Sequence, residues 1–459
     1  MAIAAIPADE TVGAKILRHT ADLLRLAWPV MLSRAGILIM AFADIAMLGR
    51  YGDGAVGISN LAIAIFVPVI VMTIGMASGM VPDVSQAYGA GHREECGRAF
   101  RRALSWGVFC SLIGMAVVWR GETLLGWFGQ TPELAQAGGT VSVALAPGVL
   151  AQTLFAVCAF YLESTRRPMF ALTVMIAANV INVILNWLLI FGNLGFPELG
   201  AVGAAIASTI ARFGAAGLML WYVFTLDRAP ALGVRGPWET MWGPGGWRLG
   251  WPMRKLGGSA AISNGFETIG FAAMSLMAGT LGIAALDAYS ISHNLVSTFF
   301  MIGLGLAVAT GVRVGQATGA GDPREAAFAG WTGLLVALLI MGSLASLVLL
   351  FRTEIAHIYT NDPELAARAA TVFLFAAFVC MPDSLQVVMG QAIRALGDAW
   401  VPLAAYAASF VVLMIPFGWY LTRALGWDER GLVLAVVVAC VLATVLLAWR
   451  FRALTKVRG

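Results

Sequence analysis

Twelve long apolar runs constrain this chain more than any other feature of its sequence. A helix needs about 20 mostly apolar residues to cross a bilayer, and each run is close to that length or longer. The runs cover roughly 24–48, 58–81, 103–119, 138–162, 169–192, 199–224, 256–281, 288–312, 327–351, 366–393, 399–424 and 429–450. Because 60% of the residues are hydrophobic and only 12% are charged, we predict an all-α polytopic membrane protein with 12 transmembrane helices.

The lysines and arginines predict the orientation of these helices. If both termini lie on one side, the loops on that side carry 21 Lys and Arg residues, and the opposite side carries 6. The remaining two, Arg34 and Arg212, fall inside predicted spans. Positively charged loops are retained in the cytoplasm. We therefore expect cytoplasmic termini in an integral protein of the plasma membrane, which in a bacterium is the inner membrane.

An internal repeat divides the predicted helices into two sets of six. The loops "VSQAYGAGHREECGRAF" (84–100) and "VGQATGAGDPREAAFAG" (314–330) share Q-A-x-G-A-G followed by R-E, at an offset of 230 residues. The acid-bearing segments "AFADIAML" (41–48) and "GFETIGFA" (265–272) lie near the same offset. Since six is an even number, both sets insert the same way up and are related by an axis along the membrane normal.

We therefore predict two pseudo-symmetric six-helix lobes. The predicted segments are an N-terminal cytoplasmic segment (1–23), an N-lobe (24–224), a cytoplasmic linker (225–255), a C-lobe (256–451) and a cytoplasmic tail (452–459). Two such bundles with a site between or within them are the architecture of an alternating-access transporter. The alternative is that the two halves pack alike without being a sequence repeat, and the matching loops disfavour it.

Three acids lie at membrane depth in the predicted spans: Asp44, Glu267 and Asp383. A carboxylate there costs about 2.5–3.5 kcal/mol on insertion scales, so such residues usually serve a function. Asp83 and Glu163 also lie near spans, but at cytoplasmic ends where we expect them to reach water.

No buried arginine is expected to pair with these acids. Arg34 lies ten residues from Asp44 on the same helix, which is about 15 Å along the axis. Arg212 is placed deeper than Asp44, so a direct pair is not expected there either, and both arginines are predicted to be structural. The spans of the second lobe contain no predicted cation, so Glu267 and Asp383 are expected to face a wet cavity, bind a cation or stay protonated.

The first lobe offers neutral oxygen ligands near its acid. Asn182 and Asn186 lie four residues apart in "NVINVILNWLLIFG" (179–192) and share a helix face. Thr209 lies at a comparable depth in the sixth span. With Asp44, these side chains would make a site for a hard cation such as Na⁺. The alternative is that the amides and the hydroxyl only make hydrogen bonds between helices.

Several function classes are disfavoured by the composition. The five cysteines and four histidines show no metal or redox spacing, and no phosphate-cradling G-x-x-x-x-G-K-[ST] motif occurs. We therefore expect no cofactor besides a coupling ion. The net charge of +4 reflects loop orientation and predicts no nucleic-acid partner. The expected partners are the lipid bilayer and small organic molecules, and the protein is expected to function as a monomer.

The chain resembles the multidrug and toxic compound extrusion (MATE) family over nearly its full length. The resemblance rests on "AWPVMLS" (27–33), Asp44 followed by "AMLGRYG" (46–52), the paired Q-A-x-G-A-G loops, "NVILNWLLIFG" running into "LGAVGAAIAST" (199–209), and "PDSLQVVMGQAIRALGDAWVP" (382–402). It implies an exporter of organic cations, driven by inward flow of Na⁺ or H⁺. It also implies that the two lobes form a V around a central cleft.

The acids of the second lobe resemble the NorM-type branch of that family. In this branch the second lobe carries a cation site, to which the resemblance assigns Glu267, Asp383 and a helix-8 tyrosine, here Tyr289. Asn186 departs from the DinF-type branch, which commonly has Asp at that position. This departure weakens a proton mechanism confined to the first lobe.

The sequence therefore predicts a secondary active multidrug antiporter rather than an enzyme. Na⁺ is favoured over H⁺, at Asp44, Asn182 and Asn186 or at Glu267, Tyr289 and Asp383. One alternative is a flippase for lipid-linked oligosaccharides, which would need cationic residues in its cavity to hold pyrophosphate. Another is a membrane-embedded transferase, which would need clustered Asp and His residues that the spans lack.

Overall fold

A computed structural model describes residues 12–52, 54–226, 233–235, 242–243, 245–360 and 362–456. Residue 53 of the N-lobe and residue 361 of the C-lobe lie outside these residues, as do parts of the three other predicted segments. These parts are 1–11 of the N-terminal segment, 227–232, 236–241 and 244 of the linker, and 457–459 of the tail.

Twelve long helices make up the described chain, one for each predicted span. They are α1 (Val12–Tyr51), α2 (Ala55–Gly89), α3 (Arg93–Trp119), α4 (Pro132–Ser164), α5 (Met169–Phe191), α6 (Gly200–Thr225), α7 (Trp251–Thr280), α8 (Ile283–Gly319), α9 (Pro323–Leu350), α10 (Pro363–Ala395), α11 (Trp400–Arg423) and α12 (Glu429–Thr455). Short helices Gly121–Trp127, Gly246–Leu249 and Arg352–Tyr359 occupy loops. The predicted all-α fold is confirmed.

Eleven of the described helices are long and apolar enough to cross a membrane. The twelfth, α7, has 30 residues, which span about 45 Å, but it carries Glu267 and several Gly and Ser residues that lower its hydropathy. Helix α7 is therefore long enough to cross the membrane. Its polar residues indicate that one side of it faces the interior of the protein.

Several helices extend beyond the apolar runs that predicted them. Helix α1 begins at Val12, inside the predicted N-terminal segment, and α3 begins at Arg93 rather than at residue 103. Helix α7 begins at Trp251 rather than at residue 256. An apolar run marks only the part of a helix that lies in hydrocarbon, whereas the backbone hydrogen bonds continue into polar residues.

Each lobe is built around one central helix. Helix α4 packs against α2, α3 and α6, and its counterpart α10 packs against α8, α9 and α12. Consecutive helices alternate in direction because the loops between them are short. We call the end of the bundle where α1 begins and α12 ends the terminal face, and the other end the opposite face.

The two lobes meet through α1 against α8 and α2 against α7 and α8. The repeated Q-A-x-G-A-G motif explains this close contact. A Cβ added to Gly89 would lie 2.0 Å from the carbonyl oxygen of Gln316, and one added to Gly319 would lie 1.9 Å from that of Gln86. Each glycine thus packs against the glutamine of the other repeat, where any side chain would push the lobes apart.

Polar contacts close the lobes together at the terminal face. Hydrogen bonds and ion pairs between described residues link α1, α2 and the C-terminal end of α4 to α8, α9 and α10. They are His19–Glu325 (2.9 Å), Arg313–Asp22 (3.8 Å), Arg313 with the ring and carbonyl of His19, Gln86 to the Ala395 carbonyl (2.7 Å), Arg166–Gln316 (2.8 Å) and Gln316 to the Ser164 carbonyl (2.9 Å).

Candidate functional site

The carboxylate of Asp44 in α1 is enclosed by three hydrogen-bond donors. Its Oδ1 accepts from the Nδ2 atoms of Asn186 (2.6 Å) and Asn182 (3.1 Å), both on α5. Its Oδ2 accepts from the Oγ of Ser208 on α6 (2.5 Å). The structure therefore brings the predicted residues Asp44, Asn182 and Asn186 together, in an arrangement that satisfies the ionised carboxylate.

The two asparagines turn their nitrogens, not their oxygens, toward this carboxylate. Both are fully buried, and Asn186 also donates to the Oδ1 of Asn182 (3.2 Å). Amide nitrogens cannot bind a metal cation as an amide oxygen does. The predicted set of two amide oxygens around Asp44 is therefore not the arrangement that the structure shows.

Thr209 does not contact Asp44, and the prediction that placed it there is corrected by one residue. Its Oγ1 donates to the carbonyl of Ala144 on α4 (2.9 Å), while the preceding residue, Ser208, faces the carboxylate. Successive helix residues point about 100° apart, so matching depth alone does not select the side that faces Asp44.

The two arginines inside the predicted spans, Arg34 and Arg212, have different surroundings. Arg34 forms a buried ion pair with Glu163 (3.2 Å), so the expectation that Glu163 reaches water is wrong. Arg212 packs its guanidinium over Phe66 at 5.0 Å and lies close enough to Asp44 to interact electrostatically. None of the ion pairs among the described residues joins Arg212 to Asp44 directly, as expected.

The second lobe places two acids on one shared donor. The Nε2 of Gln386 lies 3.2 Å from Oε1 of Glu267 and 3.3 Å from Oδ1 of Asp383. Asp383 is 2% exposed, and the Sγ of Cys440 on α12 is 3.7 Å from its Oδ1. Gln386 lies three residues after Asp383 on α10, hence on the same helix face. This spacing is the sequence pattern that could have identified Gln386.

The second lobe also contains a buried cation that the sequence placed in a loop. Arg394 lies inside α10, is 5% exposed and faces the ring of Tyr406 at 5.8 Å. It lies near enough to Glu267 for an electrostatic interaction. Helical side chains lean toward the helix N-terminus, so Arg394 reaches back along α10 and its Nη1 lies beside Gly390. The prediction that this lobe lacks a fixed cation is therefore wrong.

Tyr289 is not part of this acid pair in the structure. Its buried ring stacks on His293 with centroids 6.2 Å apart, and its side chain lies beside Ser275. Ser275 is eight residues from Glu267, which is about 12 Å along α7. The assignment of Tyr289 came from the resemblance with an uncertain helix register, and Tyr406 is the tyrosine near the acids.

The fold and these clusters define a class of protein. A two-lobed bundle of twelve helices, closed at one face, holds one acid cluster inside each lobe. The described residues contain no group of three or more His, Cys, Asp or Glu side chains that could hold a metal ion. Paired helical lobes with acids inside the bundle are the features of a polytopic membrane transporter.

Comparison with known proteins identifies the family. The MatE family model matches the chain twice, over residues 29–188 and 259–420, so the chain belongs to the MATE family of multidrug efflux transporters. A relative in Caulobacter vibrioides, "Probable multidrug resistance protein NorM", is 34% identical over 96% of this chain and 92% of its own length. "Multidrug resistance protein PmpM" of Pseudomonas aeruginosa is 29% identical over 95% and 92% of the two chains.

Solved structures show the same fold. The crystal structure of the eukaryotic MATE transporter AtDTX14 aligns with a TM-score of 0.87 at 18% identity, covering 96% of this chain and 98% of that one. An "outward-facing conformation of a multidrug resistance MATE family transporter" aligns with a TM-score of 0.82 at 17% identity, covering 97% and 99%.

Proposed function

We propose that this transporter is a cation-coupled antiporter that exports organic cations, and that its second lobe holds the coupling ion. The observation that carries the proposal is the pair of Glu267 and Asp383 on one Gln386 amide. Two carboxylates that share one amide donor repel each other, and only the weak thiol donor of Cys440 is added, on Asp383. Asp383 is buried and Glu267 is partly buried, so the pair has lost much of its hydration. Such a pair needs a proton or a metal cation to be stable.

The charges around this pair favour one monovalent cation. Two carboxylates and the nearby Arg394 leave one net negative charge when both acids are ionised. The Oε1 of Gln386 is buried and has no hydrogen-bond partner among the described residues. The Nε2 of Gln386 faces the two carboxylates in the structure, so the amide must turn over when Na⁺ binds. Oε1 would then complete an oxygen ligand set with the two carboxylates, which suits Na⁺. A proton on either acid would neutralise the pair equally well.

Export follows if the organic cation and the coupling ion compete for the same negative charge. A drug cation enters the cleft from the terminal face, attracted by the acids. Arrival of Na⁺ or H⁺ from the other side lowers its affinity and releases it. A membrane potential of about 100 mV supplies roughly 2.3 kcal/mol for each charge moved, or about fifty-fold accumulation. The names of the NorM and PmpM relatives support drugs as the cargo.

The terminal face is closed, and we place it on the cytoplasmic side because we place both termini there. A bundle closed on that side supports an outward-open state. The Lys and Arg asymmetry of the loops supports this placement, in the inner membrane of a bacterium. To return inward, the lobes must separate the contacts of His19, Arg313 and Gln316 across this face.

The oligosaccharide flippase receives less support than the antiporter. That function needs free cationic groups in the cavity for pyrophosphate. Arg34, one of the two arginines on which it depended, is neutralised by Glu163.

Transport into proteoliposomes tests the proposal. The assay uses everted vesicles, or liposomes that contain the purified chain, and its readout is the movement of ethidium across the membrane. Na⁺ and pH gradients are applied one at a time. We expect one gradient to drive ethidium transport in the wild type and to fail in E267Q and D383N. Equal transport by wild type and both variants, or transport that neither gradient drives, would refute the proposal.

A further inference from the structure

A small cavity lies one helical turn toward the terminal face from Asp44. Its volume is about 10 Å³, and helices α1, α4, α5 and α6 line it. Met40 and Ala178 precede Asp44 and Asn182 by four residues, and Arg212 follows Ser208 by four on the antiparallel α6. The cavity is therefore a separate layer beneath the Asp44 cluster, with room for about one water molecule and none for a drug. A slightly larger occupant such as chloride requires the flexible side chains of Met40 and Met175 in the lining to shift.

Two unpartnered donors line this cavity. The Nη1 of Arg212 and the Nε2 of Gln152 are buried and have no hydrogen-bond partner among the described residues. Gln152 is only 6% exposed. A buried donor without a partner costs about 1–3 kcal/mol. Apolar side chains such as Phe155 and Met175 form the rest of the lining.

We propose that this cavity binds one small monovalent anion, with chloride as the physiological ion. A water molecule would accept hydrogen bonds from both donors, but its own hydrogens would then face Phe155 and Met175. A halide accepts hydrogen bonds and donates none, so it matches the two unpartnered donors of the lining. The guanidinium charge adds an electrostatic attraction that water cannot use. The volume excludes phosphate, sulfate and carboxylate ligands.

The anion is coupled to the charge of Asp44. When Asp44 is ionised, it partly compensates the positive charge of Arg212. When Asp44 carries a proton or a cation, Arg212 lacks this compensation and attracts an anion more strongly. Because coupling between two sites is reciprocal, bound chloride would favour the neutralised form of Asp44. This site does not depend on the proposed antiport, so it can be tested without transport.

Thermal unfolding of the purified full chain tests the site. Sodium chloride and sodium gluconate are compared over a concentration series, since a ligand that binds only the folded state raises the melting temperature with its concentration. We expect a chloride-specific rise in the wild type. D44N should lower the half-maximal chloride concentration by about fivefold or more. R212Q should abolish the rise, Q152M should weaken it, and R120Q, which changes an exposed arginine, should retain it.

Bromide anomalous diffraction from wild-type crystals gives a readout that does not depend on the folding of R212Q. We expect a peak between Arg212 and Gln152. A bound water without bromide at this position, a bromide peak only elsewhere, or identical melting in chloride and gluconate for both wild type and D44N would overturn the proposal.

Discussion

The two lobes surround their acids in different ways. Asp44 in the first lobe accepts hydrogen bonds from Asn182, Asn186 and Ser208. Glu267 and Asp383 in the second lobe share the single amide of Gln386. The first carboxylate has replaced its lost hydration with three protein donors, whereas the second pair has one shared amide and the weak thiol donor of Cys440 for two carboxylates. The number of donors per carboxylate therefore tells which acid cluster has to recruit a cation.

The internal repeat does not extend to the hydrogen-bond partners of the acids. The reciprocal packing of Gly89 on Gln316 and of Gly319 on Gln86 follows the repeat closely. By contrast, Asp44 takes its partners from α5 and α6, whereas Glu267 takes Gln386 from the central helix α10. The repeat thus preserves the surface on which the lobes meet, and the two clusters have become chemically different.

Neutralising the second-lobe pair gives the largest expected effect. E267Q removes one of two carboxylates that would hold the coupling ion, so we expect gradient-driven ethidium transport to fall by more than about tenfold. D287N is the matched control, because Asp287 is an exposed acid of the same lobe and should transport normally. If D44N abolished ion coupling while E267Q retained it, the assignment of the two lobes would be reversed.

Removing Arg394 tests the net charge that we assign to the second-lobe acid pair. R394M leaves two carboxylates without their nearby cation, so we expect the affinity for the coupling ion to rise by about tenfold. Divalent cations should also begin to compete, because the site then carries two negative charges. Ion competition against ethidium transport measures both changes. An unchanged affinity would mean that Arg394 does not contribute to the charge of the site.

The two acid clusters should respond to neutralisation with opposite changes in stability. In D44N the new amide N–H₂ group points at one of the three groups that donated to the carboxylate. Two donors then face each other, which destabilises the protein by about 1–3 kcal/mol. E267Q removes repulsion within the second-lobe pair, so it should raise the melting temperature at about pH 9 in buffer without Na⁺. Thermal unfolding of both variants side by side checks this contrast, and a shift of the same sign in both would contradict it.

Local features of the sequence predicted much of the fold and of the first-lobe site. Span length and hydropathy are properties of contiguous residues, so all twelve helices could be found. Asn182 and Asn186 could be grouped because a spacing of four fixes a common helix face. Their contact with Asp44 could be predicted because the three residues lie at similar depths in the membrane, on helices expected to be neighbours.

What the sequence could not predict depends on helix rotation and on side-chain length. The apolar run ended before Arg394, although the helix and its buried face continue to Ala395. The burial of Glu163 against Arg34 depends on how α1 approaches α4, which no local pattern encodes. Tyr289 lies at a suitable depth on α8 but faces His293 and Ser275, because rotation about the helix axis depends on packing between helices.

The smallest expected effect distinguishes Ser208 from Thr209 in the first lobe. S208A removes one of three donors to Asp44, and the two asparagines still hold the carboxylate, so we expect a loss of about 1 kcal/mol in stability. T209A removes a hydroxyl that donates to the Ala144 carbonyl and should cost a similar amount or less.

These stability costs alone do not distinguish Ser208 from Thr209, so each variant must also be made in the D44N background. Because Ser208 acts through the carboxylate, the effect of S208A should change in the D44N background, whereas that of T209A should stay additive. Additivity for both residues would mean that the Ser208–Asp44 hydrogen bond contributes nothing, and that the asparagines alone satisfy the first-lobe acid.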